Sequence, residues 1–189
     1  MLKAEKKDND FLAEMSKEKL IELLMMHIRN IWRVDGLYFM GIEEKFGTNA
    51  ATDIDAGCWN VMGKLEAREL REKLGVKKEH MDVPSVLWIL RNTSWALYQV
   101  GKEIELLEDG SGLFRVTECR TQENRIQKGL GEFPCKKVRY GYLKSFVEEL
   151  NPELEVVPKT CPPDSHPENK WCEWHFRFKG RNQLETTVR

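Results

Sequence analysis

No stretch of this chain approaches the ~20 consecutive apolar residues needed to cross a bilayer. Its opening, MLKAEKKDND, has no apolar segment of the kind a secretory signal carries, so a cytoplasmic protein is expected. Neither charge is in excess. The 30 basic and 31 acidic residues leave a formal net charge of −1, which disfavours nucleic acid or an anionic membrane as partner. GxSxG, P-loop, GxGxxG and HExxH signatures are missing, which removes the commonest enzyme classes built on them. There is no CxxC pair, so the cysteines match no familiar zinc-finger spacing. Internal repeats and low-complexity tracts are lacking too.

What is present is enough for one full-sized domain: 189 residues, 41% of them apolar. Residues 1–15 are hydrophilic and read as a flexible leader. Ser16 offers an N-cap, and Leu20, Ile21, Leu24, Ile28, Ile31 and Trp32 recur at helical spacing until Gly36. Leu37, Phe39, Ile42 and Phe46 predict a second helix ending at Gly47. A third starts at Thr48 or Asn49, with Ile54, Cys58, Met62 and Leu65 as its apolar stripe and a stop at Gly75. A fourth begins near Pro84 and carries Val86, Ile89, Leu90, Trp95 and Leu97. Residues 16–100 therefore form a helical part.

At Gly101 the period changes. The run KEIELLEDGSGLFRVTEC predicts a hairpin turning at Asp109-Gly110. A short helix, a longer helix from Cys135, a strand at 154–157, a Pro-rich loop and a closing strand WCEWHFRF follow. The expected fold is α+β, a helical N-terminal half packed on a small mixed β-sheet module with two helices. Residues 101–180 form that module and 181–189 a tail.

Five cysteines in a cytosolic chain point to metal, redox chemistry or burial rather than disulfides. Cys58 stands apart. Cys119, Cys135, Cys161 and Cys172 each fall at a boundary between elements, where side chains from distant segments can converge. Their gaps are fifteen, twenty-five and ten residues. Four thiolates would make the closed tetrahedral shell of structural zinc, with His166 as alternate ligand. An iron–sulfur cluster would satisfy the same four sulfurs and is ranked below zinc. The competing reading is four ordinary buried cysteines.

The run CKKVRYGYLKSF, a strand, then CPPDSHPENKWCEWHF resembles the end of the 4-vinyl-reductase-like ligand-binding domains. There a Cys precedes a helix bearing Gly-Tyr, and two more Cys bracket the loop before the last strand. The matching positions are Cys135, Gly141, Tyr142, Cys161 and Cys172. The resemblance implies zinc on the cysteines and recognition of small apolar molecules. Separately, IWRVDGLYFMGIEEKFG, CWNVMGKLEAR, FPCKKV and CEWHF are similar to uncharacterised cytosolic proteins related to the L-2-amino-thiazoline-4-carboxylate hydrolase family, which implies opening of a small sulfur–nitrogen ring.

Asp35 lies in an apolar run, where a carboxylate needs a partner or a raised pKa. With His27 and Glu43 it forms a candidate acid–base cluster; otherwise it caps a helix. Arg120 and Arg125 could hold a substrate carboxylate bidentately. Trp59 and Tyr142 are expected beside a largely apolar pocket between the two parts. Glu66 and Glu69 with Arg68 and Arg71 read as a solvated helix face. The function expected is small-molecule binding or sensing with a structural metal, with a homodimer as an option. The alternative is a hydrolase for a small cyclic amide-like or thiazoline carboxylate. A purely structural subunit would show a broad exposed apolar patch and no pocket.

Overall fold

The structure, a computed structural model, describes residues 5–180; the predicted tail at 181–189 lies outside them. Within the expected leader a short exposed helix, α1 (Lys6–Ala13), buries no residue. Helix α2 (Lys17–Lys73) starts where the sequence placed it, with Ser16 Oγ accepting from the Lys19 amide at 3.2 Å. It does not stop at Gly36. A glycine inside a helix costs only about 1 kcal/mol, which flanking Trp32 and Phe39, both buried on the core face, readily offset.

The real break is Gly47, at φ 84° and ψ 163°. In a straight helix Trp32 and Trp59 would lie roughly 40 Å apart. Their rings instead stack at 4.7 Å and 4°. The chain therefore reverses at Gly47, and α2 is a helical hairpin with arms 17–46 and 48–73.

The arms bury only part of the stripes the sequence predicts, namely Ile28, Trp32 and Phe39. Leu20, Ile21, Leu24, Ile31, Ile54, Met62 and Leu65 are exposed; the core takes Ile28, Trp32, Phe39, Ala51, Trp59, Gly63 and Ala67. Small residues win on the second arm because helix α6 (Cys135–Leu150) lies against it very closely. A Cβ at Gly63 would sit 2.4 Å from the Tyr142 carbonyl oxygen.

The predicted fourth helix is two. Asp82 caps α3 (Val83–Arg91), accepting from the Ser85 amide at 2.9 Å, and Thr93 caps α4 (Ser94–Tyr98), accepting from Ala96 at 3.1 Å. Strands β1 (Gly101–Leu106) and β2 (Gly112–Glu118) form the expected hairpin, its turn held by Asp109 Oδ1 accepting from the Ser111 amide and hydroxyl. Helix α5 (Arg120–Gln127) and α6 then lead to β3 (Leu154–Thr160) and β4 (Cys172–Phe178). The sheet order is β1-β2-β4-β3, and every pairing is antiparallel. It is α+β as expected, but not mixed, because β4 inserts between β2 and β3 and runs against both.

One apolar core crosses the predicted boundary at residue 100. Trp32, Trp59, Leu90 and Trp95 join Phe114, Tyr142, Phe146, Leu154 and Trp174 in it. Among the described residues no helix is long and apolar enough to cross a membrane.

Candidate functional site: an aromatic cavity with a buried charge cluster

Gly36, whose missing side chain leaves open space on the inner face of α2, lines a cavity of about 380 Å³. Trp32 and Trp59 form one wall, with Tyr98 stacked on Trp32 at 5.3 Å. Phe39 and Phe133 meet edge to face at 4.8 Å on another. Helix α5 supplies Gln122, which fixes the Phe133 backbone through both ends of its amide at 2.9 and 2.7 Å. The first turns of α6 contribute Cys135 and Arg139.

Arg139 is the central charge. It is only 3% exposed, and its guanidinium carbon lies 4.6–5.3 Å from the ring centres of Trp32, Trp59, Trp95 and Tyr142. Such cation–π contacts offset part of the cost of burying a charge. Nε and Nη1 have no partner among the described residues, although both are buried. Gln99, 4% exposed, likewise leaves its Oε1 unpartnered at the cavity wall.

Two carboxylates complete the cluster. The Trp59 indole N–H donates to Asp35 Oδ1 at 3.0 Å, and Asp35 shares a hydrogen bond with Asp55 from the other arm. Burial raises the Asp35 pKa, with Trp59, Arg139 and Asp55 partly opposing. Burial and then the Asp35 charge push Asp55 up to about 7, Arg139 drawing it back. Two carboxyls this close cannot both ionise cheaply, so they share a proton.

The sulfurs form a connected set behind this cluster. Cys161, fully buried, is hydrogen-bonded with Cys135 and Cys172, and these bonds with its burial raise its own thiol far above the usual range. The bond from Cys161 lowers Cys135 to about 7 against burial, assisted by the Arg139 cation. Burial pushes Cys119 up to about 12, and the Cys135 and Cys172 charges add to this. Among the described residues no three His, Cys, Asp or Glu groups stand in an arrangement that could hold a metal ion. All five cysteines are free, and Cys58 is exposed. His166 turns elsewhere, 3.4 Å from Glu132 and packed on Trp171 at 4.8 Å.

The other predicted residues separate. His27 is exposed on the first arm and does not join Asp35. Glu43 accepts a two-pronged bond from Arg125 at 2.8 and 3.0 Å, which holds its carboxyl below the ordinary range. Arg125 thus pairs with an internal carboxylate while also lining the cavity, where its buried Nε has no partner among the described residues. Arg120 lies over Tyr98 at 5.6 Å, outside the first cavity. Tyr142 walls the Arg139 box and donates to Glu66 at 2.8 Å. Glu66 also accepts from the Ser94 amide at 2.7 Å, so it ties three helices together rather than facing solvent. Sequence reasoning missed Asp55, Arg139 and Gln99. Asp35 and Asp55 stand on opposite arms of the hairpin, which the reversal at Gly47 lays side by side.

Fold and site together define an α+β protein with an aromatic cavity over a buried charge cluster. The chain belongs to a family of unknown function, DUF6125, which matches residues 13–178. No curated protein matches the sequence. Among solved structures it is similar to a trafficking protein particle complex subunit 3 from Naegleria fowleri covalently bound to palmitic acid. Identity there is 14%, the match covers 86% of this chain and 97% of that one, and the TM-score is 0.47.

Proposed function

We propose that this protein binds a small molecule in the aromatic cavity, in a cytoplasmic setting that its five free cysteines support. The observation that carries the reading is the set of buried, unpartnered polar atoms on residues of the cavity wall: Arg139 Nε and Nη1, Arg125 Nε and Gln99 Oε1. Buried polar groups are almost always satisfied, and a cavity of this size and lining is what a ligand site requires. The purely structural alternative foresaw no pocket, which weighs against it. A homodimer remains part of the proposal; the exposed apolar residues of α2 support it.

The test is a fluorescence titration with the neutral probe N-phenyl-1-naphthylamine. Saturable binding of one probe per chain is expected, and Gly36→Leu, which places a side chain at the cavity wall, should weaken it by at least about tenfold. An absence of binding, or binding indifferent to Gly36→Leu, contradicts the reading.

The four cysteines belong to the same proposal as a structural zinc site that stiffens the cavity floor. Support comes from the hydrogen bonds that link Cys161 to Cys135 and Cys172, with Cys119 within electrostatic reach. Zinc would replace the thiol protons and draw the sulfurs to ~2.3 Å from a common centre. Elemental analysis with thiol titration checks this: one zinc per chain, and four thiols exposed together on chelation. Metal-free protein whose thiols react independently speaks against it.

A second reading has its own observation. Asp35 and Asp55 hold one proton between them, the arrangement a general acid–base pair needs. In the hydrolase reading this pair replaces the Asp35, His27 and Glu43 set. Ring opening of 2-amino-thiazoline-4-carboxylate by wild type but not by Asp55→Asn would favour it; an inert wild type would remove it.

A further inference from the structure

A second cavity, about 290 Å³, adjoins the first and shares Arg33, Tyr98 and Asn124 with its wall. Its remaining lining is Arg29, Arg120 and Glu123. Three guanidiniums thus face one carboxylate. Arg33 bonds only the Asn30 side chain at 3.1 Å, and Arg120 only covers the Tyr98 ring. No carboxylate lies within ion-pair distance of Arg29, Arg33 or Arg120 among the described residues.

Local structure gives no reason for this crowding. Arg29 and Arg33 are four residues apart on one helix face, where like charges repel. Arg120 is the first residue of α5, where the helix dipole opposes a cation. Each placement costs stability, and each is offset if an anion enters between them. Guanidinium is the side chain best shaped to receive oxyanions, in paired hydrogen bonds. Arg33, Tyr98 and Asn124 line both cavities, which places the two side by side.

We infer that the ligand is an apolar, ring-bearing molecule with an oxyanion (carboxylate, sulfonate or phosphate), its body in the aromatic cavity and its anion among Arg29, Arg33 and Arg120. The inference rests on the cavity reading above and adds the chemical class. Asp35, Asp55 and Gln99 in the aromatic cavity carry acceptor oxygens, so a donor on the ligand body would find partners there.

Two probes sharing one ring skeleton test it. 8-Anilino-1-naphthalenesulfonate differs from N-phenyl-1-naphthylamine by its sulfonate. The anionic probe should bind wild type at least about tenfold more tightly, with the advantage shrinking as salt is raised. The double variant Arg29→Gln/Arg120→Gln, whose residues line only the second cavity, should erase that advantage. Arg29→Lys/Arg120→Lys should keep part of it. Gly36→Leu should weaken both probes, which excludes binding to the exposed face of α2. Neutral-probe binding with no gain from the sulfonate overturns this inference alone. A gain that survives the Gln variant also overturns it. Failure of the neutral probe to bind overturns the cavity reading and this inference with it.

Discussion

Arg139 is enclosed by four rings, faces two carboxyls that share a proton, and keeps two buried N–H groups without partners. Removing one member of such a cluster exposes the cost of the others. Arg139→Gln should destabilise the chain by about 3–5 kcal/mol, because Asp35 loses its nearest cation in a buried site. Adding Asp55→Asn should recover part of that loss, and denaturant unfolding of the single and double variants measures it. If the losses simply add, the groups are not coupled. The pH dependence has a defined sign. Folded Asp55 keeps its proton to about 7, while the unfolded residue releases it near 3.8, the ordinary value of an aspartate. Between those values the folded chain carries the extra proton, so stability falls as pH rises and levels off above about 7. Asp55→Asn should flatten that decline and be more stable than wild type at pH 8. Asp35 was legible in the sequence as a carboxylate in apolar surroundings. Its partners were not, since Asp55 is reached only through the reversal at Gly47 and Arg139 only through the packing of α6.

At the scale of elements, two glycines fix the geometry. Gly47 adopts φ 84° and ψ 163°, a region closed to residues with a Cβ. Gly47→Ala should cost about 1–3 kcal/mol and loosen the Trp32–Trp59 stack, read as a thermal shift with a change in near-ultraviolet circular dichroism. Gly63 permits the close approach of α6. Gly63→Ala should cost about 2–3 kcal/mol through overpacking against the Tyr142 carbonyl, a displacement that does not relax by rotating a side chain. A silent Gly63→Ala would contradict the packing described. The helix end at Gly47, the Ser16 cap and the Asp109-Gly110 hairpin were readable because each depends on local chemistry. The buried face of the second arm of α2 was not. Periodicity marks Ile54, Met62 and Leu65 as a core stripe, yet the partner helix selects the adjoining small residues.

Across the whole molecule, both halves of the chain share one core, and the cavity exists because both contribute walls: α2 and Gln99 from the first, α5, Phe133 and α6 from the second. The cysteines were placed by sequence at element boundaries, and the structure brings them into one hydrogen-bonded and electrostatically coupled set. Their gaps alone could not disclose that Arg139 lies against Cys135, because that relation depends on the depth at which α6 packs. The central claim is that a small molecule enters between these elements. It is tested most directly by following the six indole N–H resonances while N-phenyl-1-naphthylamine is added. Trp32, Trp59 and Trp95 should shift together to a saturating end point, while Trp88, exposed on α3, should stay in place. Shifts confined to Trp88, or six unmoved signals, would contradict the account.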